Sequence, residues 1–241
     1  MAIDIKSHAR IDELEAHCAA NRAIIKKHLG NGVLFSDLSA SIADDVKIGA
    51  GTSILPGVIL LSGTRIGCGC VIGPNTVICG STIADNVTIN ASQIFDSVIG
   101  EGTTVGPFAH IRNHCELSGN CRVGNFVELK NSTINNGSKM SHLSYIGDTE
   151  MGSNVNMGCG TITVNYDGVG KYKTVIGDNA FIGCNSNLIA PVNIGMDTLI
   201  AAGTTVHEDV PDGAMAISRP RQTTIDDAAE RIFSKKGKTK K

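Results

Sequence analysis

The sequence has no tryptophan, only three tyrosines and six phenylalanines, and little net charge. A 241-residue chain so poor in aromatic residues and carrying 28 glycines is unusual for an ordinary mixed globular fold; it indicates many turns and a thin core. Positive and negative side chains almost cancel, leaving a net charge of -2, which gives no reason to expect nucleic acid as a partner. The one basic run, residues 235–241, is interpreted as a solvated end of the chain.

Long hydrophobic runs and a signal segment are missing too. The most apolar stretch, residues 54–61, is too short to span a bilayer, and no charged-then-apolar segment begins the chain. We therefore expect no membrane association and a cytoplasmic location. The cysteines show neither paired CxxC zinc spacing nor the frame of a small secreted protein, so they are interpreted mostly as small, reduced core residues. There are eight of them: Cys18, Cys68, Cys70, Cys79, Cys115, Cys121, Cys159 and Cys184.

What the sequence does contain is a period of six residues. Aliphatic residues recur at this spacing in three blocks: Ile42, Ile48, Ile54, Leu60, Ile66, Ile72 and Ile78; Ile99, Val105, Ile111, Leu117, Val123 and Leu129; and Ile176, Ile182, Leu188, Ile194, Ile200 and Val206. Small or branched residues follow four positions after the members of the first block: Val46, Thr52, Val58, Thr64, Cys70, Thr76 and Thr82. This period fits neither an α-helix nor a meander, but it fits a coil with three short flat faces. The sequence predicts an all-β, parallel β-helix of stacked coils, and its left hand is expected from hexapeptide proteins in general.

The segments outside the hexads suggest the domain organisation. Residues 1–40 should form a lead-in with a helix capped by Ser7 and ended by Gly30, which covers the first coil. The β-helix is predicted over residues 41–210 with an extruded polar loop at about 163–174, and a tail with a short helix near 225–233 follows at 211–241. The apolar positions of the first helix are Ile11, Leu14, Cys18, Ile25 and Leu29.

The repeat also predicts which side chains are neighbours. Arg112 and Lys130 both follow a ladder residue and are 18 positions apart, so they should stack as adjacent cations. A register slip after Leu129 makes the next interval 17, which places Tyr145 over Glu128, His142 over Asn125, and Cys159 over His142. We therefore expect the following residues to meet at one corner of the prism: Arg112, Glu128, Lys130, His142 and Tyr145.

Such a cluster suits proton abstraction beside a bound phosphate. Two cations and a phenol would hold the anion, while the imidazole of His142 removes a proton from a nucleophile. Glu128 is predicted to hold the imidazole tautomer. The alternative is that Arg112 and Lys130 form surface salt bridges and that His142 is an ordinary exposed histidine.

Four segments carry a family resemblance: VGPFAHIR at residues 105–112, VGNFVELK at 123–130, SHLSYIGD at 141–148 and GTITVNYDG at 160–168. Over residues 42–219 the chain resembles the acetyltransferase domain of the bifunctional N-acetylglucosamine-1-phosphate uridyltransferase/glucosamine-1-phosphate acetyltransferases. The resemblance implies transfer of an acetyl group from acetyl-CoA to the amine of glucosamine-1-phosphate, within a homotrimer whose active sites lie between subunits. No metal is implied in this transfer.

The resemblance also implies roles for particular residues. His142 would be the general base, Asn165 a donor to the oxyanion unless a backbone N–H serves, and Glu128, Asn156, Asn165 and Tyr166 would position the sugar and its amine. The sugar phosphate would be held by Arg112, Lys130, Tyr145 and Lys171. Acetyl-CoA would lie near Cys159, Cys184, Ala202 and Arg219. For Asn165 and Tyr166 the alternative is a plain turn, and for Lys171 a solvated loop lysine.

The sequence departs from that family in two ways. Only some forty residues precede the first hexad, where the family carries a uridyltransferase domain, so a separate uridyltransferase is expected to supply that step unless the acceptor is a different amino sugar. Cys159 stands where the family usually has Ala and Cys184 where it usually has Ser, which replaces a hydroxyl donor with a weaker thiol. A covalent acyl intermediate on Cys184 is the less favoured alternative.

Three other functions stay open at this level. One is a zinc carbonic anhydrase using His110, His114 and His142, although the four-residue spacing of the first two is not that of the known sites. A non-catalytic scaffold would need only the ladder residues. The third possibility stays within acetyl transfer and changes the acceptor to a nucleotide-linked amino sugar.

Overall fold

The computed structural model describes residues 10–236, and most of its regular structure is parallel strands. Two helices flank the strands, α1 at Ile11–Gly30 and α2 at Ala228–Lys236. The strands, in chain order, are β1 Leu34–Phe35, β2 Ser41–Ile42, β3 Lys47–Ile48, β4 Ser53–Ile54, β5 Ile59–Leu60, β6 Arg65–Ile66, β7 Val71–Ile72, β8 Val77–Cys79, β9 Thr82–Ile83, β10 Thr88–Ile89, β11 Gln93–Phe95, β12 Val98–Ile99, β13 Thr104–Val105, β14 His110–Arg112, β15 Glu116–Leu117, β16 Arg122–Lys130, β17 Thr133–Ile134, β18 Lys139–Gly147, β19 Thr149–Met151, β20 Asn156–Met157, β21 Ile162–Val164, β22 Thr174–Ile176, β23 Phe181–Ile182, β24 Asn187–Ile189, β25 Val192–Ile194, β26 Leu199–Ile200, β27 Thr205–Val206 and β28 Met215–Ala216.

The strands stack into three columns, which are the faces of a triangular prism. Face one runs from β1 through β4, β7, β10 and β13 to β28, face two from β2 through β5, β8, β11 and β14 to β27, and face three from β3 through β6 and β9 to β25. The nine-residue strands β16 and β18 cross the corner between faces one and two without a break. Each coil therefore pairs only with its neighbours, as in other repeat proteins.

The predicted hexad ladder is the core of this prism. Every aliphatic residue of the three predicted blocks is buried, and the small partner residues that follow them in the first block are buried too, with one exception. That exception is Thr82, which is exposed; Ser81 takes the inward position, because the spacing shortens to five residues between the ladder residues Ile78 and Ile83. The stack also continues beyond both ends of the hexads: β1 pairs with β4, and β28 pairs with β26.

The N-terminal helix contacts the stack at few points. Its predicted cap, Ser7, lies outside the described residues, and the helix begins at Ile11. Of the apolar positions expected to face the first coil, only Ile25 is buried, whereas Ile11, Leu14 and Leu29 are about half exposed or more. The helix therefore covers the first coil through Ile25 and through Asn21, whose side chain bonds Ala40 O and Ile42 N, and not along its whole apolar stripe. The basic run at residues 235–241 lies largely outside the described residues.

The extruded loop is shorter than the sequence suggested. Thr163 and Thr174 are fully buried in β21 and β22, because their neighbours pair with β24 and β19. The loop that leaves the coil is residues 165–173, closed by an antiparallel bridge between Tyr166 and Lys171. It lengthens the stacking interval from 17 to 25 residues between β20 and β23.

Candidate functional site

The predicted site residues extend across face two instead of meeting at one corner. Strand pairing places Arg112 beside Lys130, Glu128 beside Tyr145, and Asn125 beside His142, so the predicted neighbours are confirmed. However, His142 lies at the corner between faces one and two, whereas Lys130 is at the far end of face two. The single predicted corner is therefore wrong. From His142 to Tyr145 is three residues of strand, about 10 Å of rise, which is comparable to the length of a sugar phosphate.

His142 is held by an amide side chain. Its Nδ1 lies 3.0 Å from Oδ1 of Asn125, the residue directly beneath it in the ladder. An amide oxygen only accepts hydrogen bonds, so Nδ1 is the donor in this contact. In the neutral ring this leaves Nε2 as the acceptor, which is the nitrogen that a general base would use.

Glu128 does not hold the imidazole. Its Oε1 accepts hydrogen bonds from Nε and Nη2 of Arg112, at 2.9 and 2.6 Å, and both side chains are about one-third exposed. The prediction that Glu128 holds the tautomer is therefore wrong. The first cation of the predicted pair is neutralised by an ion pair at the surface, a kind of contact that contributes little to stability.

At the far end of face two, Lys130 lies close to another lysine, Lys171. Lys171 reaches back from the extruded loop to Lys130, and contact with that side chain and its positive charge lower the pKa of Lys171. The carboxylate of Asp148 lies beside both. Burial raises its pKa, but hydrogen bonds from Asn131 and Asn165 and the charges of the two lysines outweigh this and lower it. Lys171 is thus part of a charged cluster and not an isolated solvated lysine.

Asn165 and Tyr145 also belong to this cluster, and both lie against Gly147, which has no side chain. Asn165 is buried to 6% exposure, and its Nδ2 donates to Oδ2 of Asp148. A Cβ on Gly147 would lie 2.5 Å from the Tyr145 hydroxyl oxygen and 2.9 Å from Nδ2 of Asn165. The absence of a side chain at Gly147 therefore gives the phenol and the amide their room.

The other predicted residues lie further out. Tyr166 is 57% exposed and its hydroxyl donates to the carbonyl of Gly168 within its own loop, at 2.8 Å, so the interpretation of this segment as a turn describes its local structure. Asn156 is half-buried on face one, between Lys139 and Phe181 in the ladder. Neither contacts His142 through a hydrogen bond given by the structure.

A column of corner positions continues upward from His142. Successive ladder intervals place Asn125, His142, Cys159, Cys184 and Ala202 in this column. At its top, Nη1 of Arg219 donates to the Ala202 carbonyl at 2.7 Å. The thiols are free, and half of the eight are exposed, including Cys159 and Cys184. The prediction that the cysteines are mostly core residues is therefore wrong.

Sequence reasoning missed the residues that support the predicted ones. Asn125 was placed beneath His142, but its side chain was given no role. Asp148, Asn131 and Gly147 were not singled out. The available signal was the register itself, since Asn131 and Asp148 follow two stacked residues, Lys130 and Gly147.

Within residues 10–236 no group of three or more His, Cys, Asp or Glu side chains is placed to hold a metal ion. In the same residues neither helix has the length and apolarity needed to cross a membrane.

Comparison with known proteins identifies the relatives of this chain. Residues 96–131 and 173–208 match the family described as bacterial transferase hexapeptide (six repeats). The chain is 50% identical over 219 residues to the bifunctional protein GlmU of Exiguobacterium sibiricum, covering 90% of this chain and 49% of that protein. For the bifunctional protein GlmU of Clostridioides difficile the identity is 47%, over 97% of this chain and 51% of that protein. The chain thus spans about half the length of the curated relatives it matches, and the family resemblance predicted from the motifs is confirmed.

A solved structure supports the fold alone. LpxA of Bacteroides fragilis, a UDP-N-acetylglucosamine acyltransferase, superposes with a TM-score of 0.54 at 22% identity, covering 76% of this chain and 71% of that one. The fold is a left-handed parallel β-helix of hexapeptide repeats: the six-residue period predicted the parallel β-helix, and hexapeptide proteins in general predicted its left hand.

Proposed function

This chain is a homologue of one half of the bifunctional GlmU proteins, and from that premise we propose that it is an acyltransferase that moves an acetyl group from acetyl-CoA to the amine of glucosamine-1-phosphate. The product would be N-acetylglucosamine-1-phosphate, a precursor of UDP-N-acetylglucosamine. Its place would be the cytoplasm, where a uridyltransferase uses the product.

The observation that carries the proposal is the arrangement on face two. His142, whose Nδ1 contacts the Asn125 amide oxygen, stands at one edge, and a cluster of Lys130, Lys171 and Tyr145 stands at the other. Lys130 and Lys171 repel each other, so a phosphate bound between them is favoured electrostatically. The amine of the same sugar would then lie towards His142.

The reaction needs one base and one oxyanion donor. His142 Nε2 takes a proton from the amine as the nitrogen attacks the thioester carbonyl, and the imidazolium then protonates the departing CoA thiolate. The tetrahedral oxyanion needs an N–H donor near His142; a backbone N–H at that corner fits this role, because Asn165 of the same chain lies with Asp148 at the far end of face two. Arg112, held by Glu128 and stacked beside Lys130, would be the third cation near the phosphate.

The acetyl donor would lie along the column above His142. Cys159, Cys184 and Ala202 present the edge of successive coils there, and Arg219 closes the top through its bond to Ala202. Cys159, Cys184 and Ala202 are exposed in the single chain, so a donor lying along them would need a second subunit to cover it. We therefore include a homotrimer with sites between subunits in the proposal.

The test is CoA release from acetyl-CoA by the full chain with glucosamine-1-phosphate, with glucosamine-6-phosphate, and with no acceptor. We expect release only with the 1-phosphate. His142→Ala should lower kcat by roughly 10² to 10⁴, the usual contribution of a general base. His17→Ala is the matched control, because His17 is exposed on α1 and should leave the rate unchanged.

Other outcomes would overturn the proposal. Release with a different amino sugar alone would assign another acceptor, including a nucleotide-linked one. Silence with every acceptor in a folded, assembled protein would favour a scaffold. A ping-pong kinetic pattern with a trapped acetyl group on Cys184 would replace the direct transfer.

A further inference from the structure

Two exposed thiols lie side by side on the column above His142. Strands β20 and β23 pair with an interval of 25 residues, so Cys159 lies opposite Cys184 on the next coil. The backbones are in contact there, because Asn185 N donates to the Cys159 carbonyl at 2.8 Å and a Cβ on Gly158 would lie 2.5 Å from the Cys184 nitrogen. Neighbouring strands are about 4.8 Å apart. That spacing falls within the roughly 4.4 to 6.8 Å that a disulfide requires between Cα atoms.

The two side chains also point the same way. Each cysteine is the first residue of its corner and is followed by a residue with left-handed backbone, Gly160 at φ 77° and Asn185 at φ 55°. Since both corners turn alike, the two Cα–Cβ bonds are parallel and not divergent. Both thiols are exposed.

We propose that Cys159 and Cys184 are a dithiol modification site that reacts with low-molecular-weight disulfides and closes into an intrachain disulfide. In the described part of the chain, no other two cysteines combine exposure with equivalent positions on adjacent coils. Cys70, Cys115 and Cys121 are buried, and burial raises their pKa, which disfavours the thiolate. Cys68 is exposed, but it is stacked against Asp85.

The chemistry balances with one disulfide molecule as oxidant. A thiolate of one cysteine attacks oxidised glutathione, which forms a mixed disulfide and releases one glutathione thiolate. The second cysteine thiolate attacks the protein sulfur of the mixed disulfide and releases the other glutathione. Two protein thiols are oxidised, one glutathione disulfide is reduced, and the two protons pass to the two glutathione thiolates.

The experiment is peptide mapping of the reduced full chain after exposure to oxidised glutathione and blocking of the remaining thiols. Trypsin should release residues 140–171 and 174–221 as separate peptides, each with a single cysteine. We expect these two to be joined and to separate on treatment with dithiothreitol. In Cys159→Ser the reaction should stop at a glutathione adduct on Cys184, whereas Cys68→Ser should still form the link.

Separate glutathione adducts on Cys159 and Cys184 in the parent protein, or unreacted thiols at both while Cys68 reacts, would overturn the proposal. An activity measurement on the oxidised protein rests on the proposed function: the link should slow acetyl transfer at low acetyl-CoA, and dithiothreitol should restore it. If the reduced protein shows no acetyl transfer at all, the proposed function fails while the peptide map still decides the dithiol site.

Discussion

At the scale of single residues, the candidate site depends on side chains that touch no reacting atom. Asn125 holds His142 through one hydrogen bond, and Asp148 holds Asn165 while lying between two lysines. Each supporting residue lies on the coil below the residue that it holds: Asn125 beneath His142, and Asp148 beneath Asn165. The reactive geometry is therefore set by register and not by local sequence.

Loss of the Asn125 side-chain oxygen should lower kcat without abolishing activity, because His142 itself is still present. In Asn125→Ala, Nδ1 of His142 loses its partner and the ring no longer keeps the proton on Nδ1, so we expect kcat to fall roughly 10-fold or more, less than the loss on removing the base. Asn125→Asp keeps an acceptor oxygen and should retain most of the activity. Nitrogen NMR shifts of the imidazole would report the tautomer; an unchanged tautomer in Asn125→Ala would contradict this account.

Adding one methyl group at Gly147 should weaken binding of the sugar phosphate. Gly147→Ala places a Cβ 2.5 Å from the Tyr145 hydroxyl and 2.9 Å from Asn165 Nδ2, distances that force both groups to move. We expect KM for the sugar phosphate to rise roughly 10-fold, which corresponds to about 1.4 kcal/mol of lost binding. Gly30→Ala is the control, since its added methyl meets nothing within 4 Å. Equal KM values for the two variants would exclude the crowding argument.

The carboxylate of Asp148 should make stability depend on pH. Its pKa is lowered in the folded protein, so its contribution is present above the unfolded value of about 3.9 and is lost as pH falls through the folded value. The difference in Tm between the parent and Asp148→Asn should therefore be full at pH 7 and shrink below about pH 4. Thermal melts across this range measure it, and a difference that stays constant down to pH 3 would contradict the assignment.

At the scale of elements, the sequence could predict whatever follows from the repeat. Hexad counting predicted that Lys130 stacks on Arg112, and counting across the register slip after Leu129 predicted that Tyr145 stacks on Glu128, because each coil copies the one below. It failed where the period changes, as at Thr82. It also could not predict hydrogen-bond choices: Glu128 pairs with the guanidinium of Arg112, whereas the imidazole of His142 bonds Asn125.

The extruded loop should depend on Asp167, the residue that shapes its tip. Oδ1 of Asp167 accepts from the backbone N–H groups of Val169 and Gly170, both at 2.8 Å, and these bonds lower the pKa of the carboxyl. Asp167→Ala should speed hydrogen exchange at those two amides and raise KM for the sugar phosphate, because Lys171 is carried by the same loop. Asp167→Asn keeps an acceptor oxygen and should lie in between. Unchanged hydrogen exchange in Asp167→Ala would show that Asp167 does not shape the tip of the loop.

At the scale of the whole molecule, the stack leaves apolar surface beside the candidate base. Phe108 and Phe126 are 60% and 56% exposed and stack with ring centroids 5.4 Å apart and planes 14° apart. Both occupy corner positions with left-handed backbone, at φ 60° and 58°, where a bulky residue is uncommon. Phe126 directly follows Asn125, so these rings border the same corner as His142. A subunit that covers the acetyl donor would cover them too.

The proposed trimer should therefore weaken when these rings are made polar. In Phe108→Ser combined with Phe126→Ser, each chain keeps its buried ladder, so the coils should fold while association is lost; burying apolar surface between subunits is the main force available to such an interface. Light scattering of the parent should give three chains per particle and the double variant a smaller particle. Acetyl transfer per chain should fall with dilution more steeply in the variant, because a site shared between subunits disappears when they separate. Val169→Ser, at an equally apolar and 93% exposed loop position, should alter neither property. A double variant that remains trimeric would move the interface to another corner of the prism.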